Sequence, residues 1–112
     1  MSKILVEVSI GDLLDKISIL EIKKEKIKDA DKLKFINNEC DLLKKQLDEN
    51  VKSDNKLEEL SKSLKQINLR LWDVENEKRL CEKNADFGEK FVRLSRDVHF
   101  LNDERSKIKL EI

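Results

Sequence analysis

Apolar residues recur at alternating steps of three and four in the second half of the chain, which is the spacing of one helix face. In the final stretch the positions are Phe91, Leu94, Val98, Leu101, Ile108 and Ile112, with Arg105 in phase among them. Upstream they are Leu57, Leu60, Leu64, Ile67, Leu71, Val74 and Cys81, with Lys78 in phase. The pattern predicts two long helices, and the short link between them predicts antiparallel neighbours.

The ends of these two helices have polar signals. Asn84 can end the first, and Asp86 followed by Glu89 is typical of a capping box that opens the second. Around Trp72 the apolar face widens to include Leu69 and Leu80, more than a narrow coiled-coil seam needs. We therefore expect this helix to contact two partners.

The first half of the chain predicts two more helices. Ser9 with Asp12 can cap a helix from about Ile10 to Lys28. Asp29 or Asp31 can cap the next, whose apolar positions are Leu33, Ile36, Cys40, Leu43 and Leu47. The polar segment 50–55 is the next turn, where Asn55 and Glu58 resemble a capping box. The middle of the chain is expected to form a coiled-coil-like hairpin with arms of about 30 Å.

Residues 3–8, KILVEV, are rich in β-branched side chains and predict a short N-terminal strand. A strand needs a partner for its backbone groups. Residues 107–112, KIKLEI, alternate well enough to pair with it, but Ile108 and Ile112 also continue the helical spacing. We favour the helix there, so the strand is expected to pair between two copies of the chain in a dimer.

Length and composition limit the class of protein. The 112 residues suit one helical domain, 1–112, and the charged residues, 24 basic and 24 acidic, are typical of long helices. Balanced charge gives no reason to expect nucleic-acid binding. Cys40 and Cys81 fall on apolar faces and are expected to be buried free thiols, which suits a cytoplasmic location. No signal peptide or membrane span is expected. The fold class is therefore all-α, an antiparallel bundle of about four helices with a hairpin and a short strand.

Three cations occupy core-facing positions: Lys24, Lys78 and Arg105. A charge at such a position must be paired, must reach water along its aliphatic stem, or must hold a ligand. All three lie near helix ends, where water is close, and we favour this structural interpretation over a shared anion-binding or ion-pair cluster. The nearest candidate carboxylates are Glu21, Glu25, Glu75 and Asp103.

Arginines suggest a second candidate site. Arg93 and Arg96 lie three residues apart, and Arg70 and Arg79 lie on the helix expected to face them. Guanidinium groups bind phosphate or carboxylate through two parallel hydrogen bonds, so a convergent set could hold an acidic metabolite or a phosphorylated sugar. Pairing with the abundant Glu and Asp is the competing expectation.

Metal or nucleophile chemistry has little support in the sequence. Glu21 with Glu25 and Asp73 with Glu77 could bind Mg²⁺ if their helices met, but such pairs arise by chance in an acidic helical chain. His99 stands alone, the two cysteines lack zinc spacing, and no glycine-rich loop could bind phosphate. We expect neither a metal site nor a cofactor.

Four strings carry a resemblance to a family of small helical bacterial proteins of unknown function: LLDKISILEIKKEKI at 13–27, LWDVENEKR at 71–79, FVRLSRDV at 91–98 and NDERSKIK at 102–109. The resemblance covers nearly the whole chain and implies an α-helical domain without an established activity. It also implies recurring polar positions at Asp15, Lys16, Glu21, Glu75, Arg79, Arg96, Asn102, Asp103 and Arg105. Ser95, Val98 and His99 depart from the family pattern of Ala and Tyr near Arg96.

Together these observations predict a small cytoplasmic binding or interaction module, dimeric, whose partner is another protein or a small anion. The candidate anion-binding residues are Arg79, Arg96 and Arg105, supported by Glu75, Asn102 and Asp103. Two enzyme alternatives stay open. One is a small helical enzyme acting on an anionic metabolite, with arginines arranged as in chorismate mutase. The other is a Mg²⁺-dependent nucleotide pyrophosphatase.

Overall fold

The structure is a computed structural model that describes residues 3–112 and contains four α-helices. They are α1 (Ile10–Lys26), α2 (Ala30–Asn50), α3 (Asn55–Lys83) and α4 (Glu89–Glu111). The all-α class and the number of helices are those that the apolar spacing predicts.

Side-chain caps fix where the first three helices begin. Ser9 Oγ accepts a hydrogen bond from the Asp12 N–H at 3.0 Å, as predicted. Asp29 Oδ1 accepts from the N–H groups of the first turn of α2. The cap of α3 is Asp54, which accepts from the Leu57 N–H at 2.7 Å, so the expected cap at Asn55 was wrong by one residue.

The turn between α3 and α4 differs from the predicted capping box. Asp86 accepts from the Gly88 N–H at 3.3 Å, and α4 begins one residue later, at Glu89. Ala85 adopts a left-handed conformation with φ 53°, and its N–H donates to the Glu82 carbonyl at 3.2 Å. The Asp86 N–H donates to the Cys81 carbonyl at 2.8 Å. These two bonds form a Schellman motif with alanine in the position that glycine usually takes.

The first helix is the centre of the arrangement. α1 packs against α2, α3 and α4, and α3 packs against both α1 and α4. The two partners expected for α3 are therefore confirmed. The hairpin expected from α2 and α3 is not formed as a packed pair, because no Cα atom of one lies within 8 Å of the other. α2 instead packs on α1, whose apolar surface extends to both sides.

The core between α3 and α4 is built from Ile67, Leu71 and Leu101, with Val74, Val98 and Ile108 partly buried around them. α1 adds Leu14, Ile17, Leu20 and Ile22. The backbones of α1 and α4 come close together at Gly11. A Cβ atom there would lie 2.5 Å from the Lys109 carbonyl oxygen. Glycine is therefore required there for space, and it lets the start of α1 approach the end of α4.

The predicted N-terminal strand is not formed. Residues 3–8 have no regular secondary structure, and Ile4, Leu5, Val6 and Val8 are exposed. A strand there would have no partner within the chain, because residues 107–111 continue α4 and offer no strand edge. The preference for a helix at the C-terminal stretch is confirmed.

Two smaller expectations concern the cysteines and the membrane. Cys40 and Cys81 are buried free thiols, as predicted. Among residues 3–112, none of the helices combines the length and the apolar character that a bilayer crossing requires.

Candidate functional site

A buried polar cluster joins α1 to α3. Asp15, Ser18 and Asn68 are all buried, although each carries a polar side chain. The Asn68 amide donates to Asp15 Oδ1 at 2.9 Å and to Ser18 Oγ at 2.7 Å, while Ser18 Oγ donates to the Asp15 carbonyl at 2.8 Å. Buried polar groups are tolerated when they satisfy one another in this way. The cluster therefore fixes the register of α1 on α3.

Two cations of α4 approach the buried carboxylate. Arg105 Nε lies 3.7 Å from Asp15 Oδ1, and Lys109 Nζ lies 3.7 Å from Asp15 Oδ2. Arg105 is therefore the in-phase cation that pairs, but with Asp15 rather than with any of the carboxylates expected from sequence. Asp15 is 7% exposed, and a carboxylate so buried requires nearby positive charge.

Lys109 also ties α4 to the start of α1. Its Nζ lies 2.7 Å from Asp12 Oδ1. The hydrogen bond from Lys109, with that from the Ser9 cap, lowers the pKa of the Asp12 carboxyl below its usual value. Three helices thus meet around Asp15, and two cations of α4 hold their ends together.

A groove opens beside this cluster between α1, α3 and α4, with a cavity volume of about 270 Å³. Ile19, Ile22, Leu71 and Trp72 form its apolar wall, and its polar lining is Asn68, Glu75, Asn76, Arg79, Asn102 and Arg105. Arg79 is exposed, and within the described residues 3–112 no carboxylate lies within 4 Å of it. This groove, which we call the α1/α3/α4 groove, can offer guanidinium and amide donors beside an indole ring.

The sequence-derived candidates divide into two sets. Arg79, Arg105, Glu75 and Asn102 all line the α1/α3/α4 groove. Arg96 does not: its guanidinium carbon lies 5.8 Å from the centre of the Phe100 ring on the exposed side of α4. Asp103 is on the same side, 3.7 Å from His99 Nε2. The structure thus brings together four of the six candidates and separates Arg96 and Asp103 from them.

The other in-phase cations have separate surroundings. Lys78 Nζ lies 5.6 Å from the centre of the Phe91 ring, and neither Lys78 nor Lys24 lines the α1/α3/α4 groove. A single anion site shared by all three cations is therefore not formed.

Two of the four carboxylates that could bind Mg²⁺ by their spacing have a lysine partner instead. Glu21 and Glu25 both contact Lys65 Nζ, at 3.2 and 3.1 Å. The hydrogen bond with Glu25, assisted by Glu21, raises the pKa of Lys65 against the opposing effect of its partial burial. The part of the chain that the structure describes contains no group of three or more His, Cys, Asp or Glu side chains arranged to bind a metal ion.

Sequence reasoning missed Asn68 and Ser18, and it named Asp15 only through the family resemblance. A signal was present, because Asn68 lies four residues after Leu64 and three before Leu71, two residues of the buried face. Asp15 and Ser18 likewise alternate with Leu14 and Ile17. Polar residues in phase on two helices indicate a buried polar pair.

The comparisons agree with the family resemblance. A family of unknown function (DUF6165) matches residues 4–112. No curated protein and no solved structure shows significant similarity to the chain. With nearly its full length matched, the chain belongs to this family of unknown function.

Proposed function

We propose that the protein is a binding module for a small anionic molecule, held in the α1/α3/α4 groove. The observation that supports this most is the convergence of Arg79 from α3 and Arg105 from α4 on one groove. Guanidinium groups on two different helices can bind a carboxylate or phosphate from two directions, which a single helix face cannot do.

The two arginines differ in how they are held. Arg105 is oriented by the buried Asp15 at 3.7 Å and has its side chain 30% exposed. Arg79 has no carboxylate partner in the described chain, so its guanidinium is available to a ligand. A fixed and a free arginine together suit a site that is partly formed before the ligand arrives.

The volume of the groove and the charges that line it limit the kind of ligand that can bind. A volume of about 270 Å³ suits a compact metabolite, at the small end of known ligand pockets. Glu75 in the lining offsets one of the two arginines, which disfavours a polyphosphate. Trp72 supplies an apolar surface, so we propose a singly charged carboxylate or phosphate ester with an apolar body.

The enzyme alternatives have weaker support. An arrangement of the chorismate mutase type needs arginines free of neutralising carboxylates, whereas Arg105 is near Asp15 and Glu75 lies in the same groove. A pyrophosphatase needs Glu21 and Glu25 to be available for Mg²⁺, and both contact Lys65. The geometry therefore favours binding over either reaction.

Three broader features belong to the same proposal. The module acts as a dimer, it works in the cytoplasm, and its consecutive packed helices run antiparallel. The free buried thiols Cys40 and Cys81 support a reducing compartment. The short link 84–88 between the packed helices α3 and α4 supports the antiparallel arrangement.

Trp72 makes the proposal directly testable. It is the only Trp in a chain without Tyr, so its fluorescence reports on the groove. We expect a saturable change in Trp72 emission with at least one member of a panel of small carboxylates and phosphate esters. The same compound should raise the melting temperature.

The matched variants are Arg79→Ala and Arg70→Ala. Both arginines are exposed on α3, but only Arg79 lines the groove. Arg79→Ala should weaken the binding about tenfold or more, the effect of losing a charge-assisted hydrogen bond, while Arg70→Ala should not change it. Absence of any saturable change across the panel, or equal loss in both variants, would contradict the proposal.

A further inference from the structure

The outer side of α4 carries a regular stripe of exposed residues at steps of four and three: Glu89, Arg93, Arg96, Phe100, Asp103 and Lys107. Steps of three and four place these six residues on one face of the helix. The buried positions Leu94 and Leu101, which pack into the protein, lie on the opposite side of the helix. One face of α4 is therefore covered by α1 and α3, and the stripe lies on the face that they leave exposed.

The stripe includes one exposed apolar side chain and lies beside two more. Phe100 is 53% exposed, and Val92 and Phe87 are exposed to a similar degree. They line shallow grooves with Arg96 along the surface of α4. Phe87 lies in the link before α4, and it lines one groove together with Val92 and Phe100. Single exposed apolar residues are ordinary, but a cluster of them marks a surface that another molecule covers.

The order of charges along the stripe indicates which molecule covers it. We propose that the α4 stripe docks against the same stripe of a second copy of this chain, with the two α4 helices antiparallel. When the helices cross at position 98, Glu89 meets the second copy's Lys107, and Arg93 meets the second copy's Asp103. Arg96 then meets the second copy's Phe100, and two-fold symmetry makes each contact twice.

No pair in this alignment brings like charges together. A parallel alignment in register would instead place each charged residue against its own copy, Arg93 on Arg93 and Asp103 on Asp103. Like charges in contact are strongly disfavoured, so the sequence of the stripe selects the antiparallel orientation. The Arg96 contact also has a precedent within the chain, where its guanidinium carbon lies 5.8 Å from the centre of the Phe100 ring.

The proposed contact uses one helix face, so it lies near the small end of specific interfaces, about 1,200 Å². We therefore expect reversible dimerisation in the micromolar range, weakened by salt because the pairs are exposed. This inference rests on the dimer of the proposed function and names the surface that forms it. That surface does not include the α1/α3/α4 groove, so dimerisation and anion binding can succeed or fail independently.

The first experiment is analytical ultracentrifugation of the full chain over a range of protein and salt concentrations. The wild type should show a monomer–dimer equilibrium. Arg93→Asp should weaken the dimer about tenfold or more, because it places acidic groups opposite each other at two places. The combined variant Arg93→Asp with Asp103→Arg should restore the dimer, since the pair is re-formed with its signs exchanged.

The control is Arg70→Asp, the same substitution at an exposed position of α3 outside the stripe, which should leave the dimer unchanged. A wild type that stays monomeric at all concentrations would overturn the proposal. So would a dimer that survives Arg93→Asp, and loss of that dimer on removing residues 3–8 would assign the contact to the N-terminal segment.

Zero-length crosslinking gives a second readout without a variant. Glu89 and Lys107 are 18 residues apart on one helix, about 27 Å at 1.5 Å per residue, so no such crosslink can form within one copy. An isotope-mixed sample should yield a Glu89 to Lys107 crosslink between differently labelled chains. A dimer that gives crosslinks elsewhere but never this one would reject the antiparallel alignment.

Discussion

Helices α1 and α2 are both amphipathic and both begin at a side-chain cap, yet they hold different places in the molecule. Seven of the 17 residues of α1 are buried, whereas Cys40 alone is buried among the 21 residues of α2. α1 contacts three helices and α2 contacts one. A regular apolar stripe therefore indicates that a helix packs, but it does not indicate how many partners surround it.

The difference is visible in the polar residues. α1 buries Asp15 and Ser18 among its apolar neighbours, while the polar residues of α2 stay at the surface or half-buried. A buried polar residue needs a partner on another element, so its presence marks the helix that other helices surround. α1 also contributes Ile19 and Ile22 to the apolar wall of the α1/α3/α4 groove.

The largest expected effect on stability comes from truncating a buried side chain of α1, and a truncation in α2 serves as the comparison. Ile22→Ala in α1 removes a side chain that is 1% exposed and should lower the free energy of unfolding by about 4 kcal/mol. Leu43→Ala in α2 removes a half-buried side chain and should lower it by about 1 kcal/mol. Urea denaturation measures both, and equal losses would contradict the central position of α1.

A smaller effect is expected at the buried polar cluster. Asn68→Ala leaves Asp15 and Ser18 without their amide donor and should lower the free energy of unfolding by about 2 kcal/mol. Asn38→Ala, at an exposed position of α2, is the matched control and should change it by less than about 0.5 kcal/mol. If the Asn68 variant were as stable as its control, the cluster would not fix the register of α1.

The smallest effect concerns the end of α1 and depends on pH. Because Lys109 lowers the folded-state pKa of Asp12 below 3.8, the ion pair stabilises the protein above that pH, and this contribution is lost as pH falls through the lowered pKa. Asp12→Asn should therefore be less stable than the wild type at pH 6, and the difference should disappear in strong acid.

The control for this pair is Lys109→Met. In that background Asp12→Asn should lose most of its effect on the melting temperature at pH 6. An effect of Asp12→Asn that persists at pH 2, or that is unchanged without Lys109, would assign the role of Asp12 to something other than this ion pair.

Local features of the sequence predicted much of the fold. The apolar spacing and the caps at Ser9 and Asp29 gave the number of helices and their approximate ends. The packing of α2 was not predictable in this way, because its stripe fits α1 and α3 equally well as a pattern. Which helix covers it depends on the three-dimensional position of α1, which local periodicity does not contain.

The sequence likewise predicted some residues of the candidate site but not their partners. An interruption of the apolar pattern identified Arg105, but its partner Asp15 lies far away in the sequence and was not found from spacing. Arg96 and Arg79 are equally good candidates by residue type. They differ only in which side of their helix faces α1, and this follows from packing.

The close approach of Gly11 to Lys109 has an electrostatic consequence. The first turn of α1 carries the positive end of its helix dipole, and the last turn of α4 carries a negative end. Where the Lys109 carbonyl comes so near Gly11 that a Cβ atom has no room, these opposite partial charges meet across the backbone. Glycine at position 11 thus lets the dipoles of α1 and α4 attract each other at short range.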